Sequence, residues 1–102
     1  MKLYLPGPFR FNLDMLLRRC GYGRIVNRQG EVSYVRVFGR SGYPRFHVYV
    51  EGDAGKEIRV NLHLDQKQPS YGEHTAHSGE YDGDVVEGEG NRIQGCMTAL
   101  RQ

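Results

Sequence analysis

RFHVYVEGDAGKEIRVNLHLD, residues 45–65, decides the fold. Phe46, Val48 and Val50 alternate with His47 and Tyr49. After Gly52-Asp53-Ala54-Gly55 the alternation resumes, with Ile58, Val60, Leu62 and Leu64 set against Arg59, Asn61, His63 and Asp65. A period of two is the signature of a half-buried strand, and two such runs joined by turn-forming residues make a hairpin. Every apolar member is even-numbered. Residues paired across an antiparallel ladder share a face, so the register must match even with even. A turn centred on Ala54 predicts His47 opposite Asn61, Tyr49 opposite Arg59 and Arg45 opposite His63. One face then belongs to the core, and the other presents Arg45, His47, Tyr49, Arg59, Asn61, His63 and Asp65.

The flanking segments extend the pattern. Residues 24–38 read as a first hairpin, with Ile25-Val26 and the run Val32 to Phe38 around the turn-like Asn27-Arg28-Gln29-Gly30. Residues 2–5 form a short strand that Pro6-Gly7-Pro8 stops. Between these lies a helix: Asn12 is a favourable N-cap, and Leu13, Leu16, Leu17 and Cys20 fall on one stripe. Asp14 near its start and Arg18 and Arg19 near its end suit the helix dipole, and Gly21 fits the left-handed position beyond it. Residues 66–81 read as irregular. A C-terminal helix from about Asp82, capped by Asp82 or Asp84, places Val86, Ile93, Met97 and Leu100 on an approximate stripe. Gly88, Gly90 and Gly95 each cost about 1 kcal/mol there relative to alanine, and Gly90 is where a break is expected. The fold class is therefore α+β: a curved antiparallel sheet of four to five strands in two hairpins, with one helix in the N-terminal half and a C-terminal helix on one face.

At 102 residues, 38% hydrophobic and 25% charged, the chain is the size of one domain, residues 1–102, able to bury a core without staples. No run approaches eighteen apolar residues, which excludes a spanning helix. The Leu3-Tyr4-Leu5 run before Pro6 is too short for a secretory signal, so a cytoplasmic address is the default. Cys20 and Cys96 lie far apart and form no CxxC pair, which excludes a four-cysteine zinc site. They read as reduced thiols within helices. A disulfide between them requires Cα atoms within about 7 Å. The net charge of +2 is divided unevenly: residues 1–59 carry eleven Lys/Arg against five Asp/Glu, and residues 60–102 three against seven.

Two constellations carry possible chemistry. Arg36, Arg45, Tyr49 and Arg59, with Tyr34 beside them, would make a basic aromatic sheet face. Such faces bind single-stranded nucleic acid by stacking bases and neutralising phosphates. The plainer reading is a solvated face with cross-strand pairs. The second constellation is His63, Asp65, His74 and His77, imidazole and carboxylate donors suited to zinc or another divalent ion, which His47 could join from the neighbouring strand. The plainer reading is loop histidines bonded to the backbone. Ser78 beside His77 lacks a nucleophile elbow, and Glu80 with Asp82 or Asp84 suits a helix N-terminus. Neither constellation fixes a catalytic residue. The leading expectation is a binding or assembly module for nucleic acid; the alternative is a metal-binding protein or metal-dependent hydrolase. An exposed edge at residues 2–5 or 34–38, or the C-terminal helix, would also serve a homodimer.

Two resemblances add to this reading. The order strand, helix, four strands, helix is similar to one repeat of the TATA-binding-protein-like fold and to the small N-terminal domain of helix-hairpin-helix DNA glycosylases. Phe11-Asn12-Leu13 entering a helix and Arg59-Val60-Asn61-Leu62 carry that likeness, which implies no catalytic residue in this chain. The run Asn61-Leu62-His63-Leu64-Asp65-Gln66-Lys67 with Pro69-Ser70-Tyr71, followed by Ala76-His77-Ser78-Gly79-Glu80-Tyr81-Asp82-Gly83, resembles a small uncharacterised prokaryotic protein family. The likeness runs from about Arg18 to Ile93 and implies a fold length but no mechanism.

Overall fold

The 45–65 hairpin forms the middle of the sheet. In the computed structural model, which describes residues 1–66, 79–80 and 83–102, its strands are β4 (Arg45–Asp53) and β5 (Glu57–Asp65). β3 (Val32–Val37) pairs with β4, and β2 (Gly23–Val26) with β3. β1 (Lys2–Pro6) pairs with the far edge of β5. The order is β1-β5-β4-β3-β2, antiparallel throughout. A two-residue strand, β6 (Gly79–Glu80), takes up the same edge of β5 at Leu64 and Asp65, beyond the stretch that β1 occupies. The expected edge at residues 2–5 is present; of the expected edge at 34–38, β2 covers Tyr34 and Val35, while Arg36 and Val37 pair with β4 alone.

The register departs from the sequence expectation by two residues. His47 lies opposite His63, Tyr49 opposite Asn61, Glu51 opposite Arg59 and Arg45 opposite Asp65. The turn is the cause. The Asp53 carbonyl accepts the Lys56 N–H at 2.9 Å and its side chain accepts the Gly55 N–H at 2.8 Å. The reversal therefore centres on Gly55 rather than Ala54. A shift of two preserves the faces, so the even-numbered core side survives while every partner on the polar side changes. Gly52 lies next to this turn at φ +108°, where a Cβ would come within 2.3 Å of the Glu57 carbonyl oxygen. Only glycine fits there.

Both helices cover the even-numbered face. α1 (Leu13–Arg19) starts as the sequence predicts: the Asn12 side chain accepts the Met15 N–H at 2.9 Å. Leu16, Leu17 and Cys20 then turn inward. α2 (Asp84–Ala99) is continuous through Gly88, Gly90 and Gly95, and Gly83 rather than an aspartate occupies its N-cap, without a side-chain cap. Gly90 has a packing reason: a Cβ there would meet the Met1 side chain at 2.5 Å. Val86, Ile93 and Met97 of α2 pack with Leu3, Leu5, Val48, Ile58, Val60 and Leu62 in one core. Burial of these apolar faces, at about 25 cal/mol per Å², is what holds helices to sheet. No helix among the described residues is long and apolar enough to cross a membrane.

A carboxylate lies within this layer. Glu89 on α2 is buried, and it accepts the Tyr22 hydroxyl at 2.5 Å, a two-pronged contact from Arg92 at 2.7 and 2.8 Å, and Arg36 at 3.4 Å. Burial raises its pKa, but the hydrogen bonds from Arg92 and Tyr22 outweigh that effect and hold the carboxyl below its ordinary value. The same burial and the same carboxylate push the Tyr22 phenol up. Arg92 also donates to the Cys20 carbonyl at 2.7 Å, which ties α2 to the end of α1.

Candidate metal centre on the sheet face

The new register brings two histidines and a carboxylate together. His47 and His63 are directly paired across β4 and β5, and Asp65 lies one same-face position beyond His63, opposite Arg45. His47 Nδ1 lies 3.0 Å from Asp65 Oδ2, and His63 Nε2 lies 3.0 Å from Asp65 Oδ1. Arg45 Nε donates to Oδ2 at 3.1 Å. The two imidazole centroids are 4.8 Å apart, and Tyr49 stacks on both, at 4.7 Å from His47 and 5.9 Å from His63. His47 and His63 are each only 8% exposed.

These contacts fix the proton positions. A carboxylate accepts, so His47 donates from Nδ1 and His63 from Nε2. In the neutral ring His47 Nε2 then accepts the hydroxyl of Ser33 on the neighbouring strand, 2.8 Å away. Burial raises the Asp65 pKa, but hydrogen bonds from His47, His63 and Arg45 outweigh it and hold the carboxyl well below the usual range.

Hydroxyl, imidazole and carboxylate in line form the bond order of a serine-hydrolase relay. Ser33, however, is buried near the start of β3, only 5% exposed, which leaves an acyl group no approach to the hydroxyl. Its fitting role is to orient the His47 ring. The remaining chemistry is donor chemistry. One ligand atom each from His47, His63 and Asp65 lie within 4.8 Å of one another. Donors of one tetrahedral ion, with bonds of about 2.0–2.2 Å, lie roughly 3.3 Å apart. The histidine–carboxylate pairs already meet that spacing, and closing the set needs shifts on the order of an ångström.

Of the four metal ligands expected from sequence, His63 and Asp65 are in this cluster, and His74 and His77 lie outside the described residues. His47 is the added member. Alternation placed it on the correct face, but the mistaken register set it opposite Asn61. Ser33 was missed altogether, since a lone serine on an adjacent strand leaves no pattern.

The basic aromatic set is divided by the structure. Arg45, Tyr49 and Arg59 lie on the cluster's face. Arg36 and Tyr34 do not, because Arg36 pairs with Phe46 and Tyr34 with Val48, which puts both on the helix side. There Arg36 meets Glu89, and the Tyr34 hydroxyl donates to Asp14. Burial and that bond raise the phenol to about 12. Arg45 is engaged by Asp65 and stacks on Tyr43 at 4.6 Å, and Arg59 lies 3.6 Å from both Glu51 and Glu57. A groove of about 270 Å³ beside Tyr49 is lined by Lys2, Tyr4, Glu51, Arg59 and Asn61. A larger cleft of about 750 Å³, between α1 and the β2–β3 hairpin, contains Asp14, Arg18, Arg24 and Tyr34. It gathers no metal donors beyond the single Asp14 carboxylate.

Comparisons of the chain with protein-family models, with curated proteins and with solved structures return no match.

Proposed function

We propose that the protein binds a divalent first-row transition ion, such as zinc, through His47, His63 and Asp65. The observation that carries this reading is the convergence of two imidazoles on one carboxylate, with Ser33 holding the far nitrogen of His47. Two histidines and a carboxylate are a recurring set for zinc and for non-haem iron. A polar partner on the remote ring nitrogen is the usual support for a ligating histidine. The ion takes the place of the protons on His47 Nδ1 and His63 Nε2, and each neutral ring keeps its proton by moving it to the other nitrogen: His47 to Nε2, where the Ser33 hydroxyl turns from donor to acceptor, and His63 to Nδ1. An imidazole that carries both protons must lose one before it can ligate, so binding weakens as the pH falls.

Calorimetric titration of zinc into the metal-stripped protein tests this. A saturable one-to-one isotherm is expected, with an affinity that falls as the pH is lowered. Backbone amide shifts should centre on residues 33, 47, 63 and 65. His63→Gln and His47→Gln, each checked for native circular dichroism, should weaken affinity by roughly tenfold or more. Unchanged affinity and stoichiometry in both folded variants would sink the reading.

A second reading keeps nucleic acid as the partner, favoured by Tyr4 and Tyr49, 62% and 39% exposed beside Lys2 on the same face. The carboxylates on Arg45 and Arg59 weigh against it. Fluorescence titration with a labelled single strand decides: affinity that falls with salt and is lost in Tyr49→Ala with Arg59→Ala would favour it.

A further inference from the structure

We propose that Cys20 and Cys96 are the two halves of a reversible disulfide that ties the end of α1 to the last turns of α2. They are the only cysteines in the chain. The fold brings them together from 76 positions apart, with Sγ atoms 2.6 Å from one another. That separation lies inside ordinary contact for two unbonded sulfurs and above the 2.03–2.05 Å of a disulfide, so little movement separates the thiols from bonding. The surroundings hold the pair in place. Cys20 is the C-cap of α1, its N–H bonded to the Leu16 and Leu17 carbonyls, and its own carbonyl is pinned by Arg92. Cys96 lies one turn beyond Arg92 on α2, with Sγ 3.8 Å from the Arg19 carbonyl.

The two thiols differ in access. Cys96 is half-buried and Cys20 is 1% exposed. A low-molecular-weight disulfide such as oxidised glutathione therefore meets Cys96 first. The Cys96 thiolate attacks one glutathione sulfur, releases one glutathione thiolate and leaves a mixed disulfide. Cys20 then gives up its proton to solvent, attacks the Cys96 sulfur and expels the second glutathione. Two thiols are oxidised to one disulfide, and one glutathione disulfide is reduced to two thiols. Burial, with the neighbouring Cys96, raises the Cys20 thiol to about 12. Burial is the largest cause and persists once Cys96 is in the mixed disulfide, so the closing step speeds up as the pH rises.

The experiment uses the whole folded protein, equilibrated with oxidised and reduced glutathione, quenched with an alkylating agent and read by intact mass and peptide mapping. The expected product is monomeric, has lost two hydrogens, takes up no alkyl group and yields one Cys20–Cys96 linked peptide. Its thermal midpoint should lie on the order of 10 °C above that of the reduced form, because the bridge closes most of the chain into a loop. The midpoint of Cys96→Ser should not respond to reductant. A product that stays doubly alkylated, stops at glutathionylated Cys96 or links two chains would overturn the proposal.

Discussion

Acid should release the His47–Asp65–His63 cluster, and Asp65→Asn supplies the reference. Asp65 accepts N–H groups from His47, His63 and Arg45 at 3.0, 3.0 and 3.1 Å, and its side chain is 16% exposed. A proton on either oxygen must displace one of those donors, so the folded carboxyl resists protonation more than the unfolded one. Its folded pKa is depressed. The stabilisation is then complete above the unfolded value near 3.9 and is lost as the pH falls through the lower folded value. A carboxylate held low by ion pairing in the fold contributes on the order of 2–3 kcal/mol, and with little solvent to screen it Asp65 belongs on that scale. Urea unfolding followed by circular dichroism, stepped from about pH 7 to about pH 2, measures it. The stability difference between wild type and Asp65→Asn should shrink by on the order of 2–3 kcal/mol between about pH 5, below the ordinary histidine range, and about pH 2. Glu89, also depressed, titrates in both proteins and cancels. A difference that stayed level from about pH 5 to about pH 2, or grew over that range, would refute the account of Asp65 as a charged acceptor.

Two further expectations concern α2. Gly88→Ala should stabilise by about 0.5–1 kcal/mol, since that position is exposed and a Cβ there meets nothing within 4 Å, whereas Gly90→Ala should gain less because the Met1 side chain must move; thermal unfolding of the two variants compares them. Tyr22→Phe removes the hydroxyl from Glu89 and should cost about 1.5–3 kcal/mol in urea unfolding, and a loss within error would show that Arg92 alone satisfies the carboxylate.

Much of the fold was legible because its signals are local. The even-numbered alternation of residues 46–64, the Asn12 cap and the turn after Val26 each lie within a few positions of what they determine. The register was not, because it depended on whether the turn centred on Ala54 or on Gly55, and the Asp53 side-chain bond to the Gly55 N–H and the Asp53 carbonyl bond to the Lys56 N–H hold it on Gly55. The face of β3 was not legible either. Val32, Tyr34, Val35 and Val37 put apolar residues on both sides of the strand. Tyr34 and Arg36 look like solvent-facing residues until Asp14 and Glu89, 20 positions before and 53 after them, arrive as partners. Glu89 read as one more charge on a glycine-interrupted helix, since its partners Tyr22 and Arg36 lie in earlier strands or loops.

The two depressed carboxylates, one on each face of the sheet, also separate structure from site. Glu89 is held by a phenol and two guanidiniums, groups that keep their protons at any ordinary pH and have no nitrogen lone pair for an ion. It can only join α2 to the rest of the fold. Asp65 is held partly by two imidazoles, whose donated protons a metal can replace while the carboxylate remains a ligand. The two-residue difference in register created that second arrangement: with His47 opposite Asn61, the rings would not share a carboxylate. The candidate chemistry of this chain therefore depends on a turn, and a change that moved the β4–β5 turn by two residues would separate the metal donors while leaving the core alternation intact.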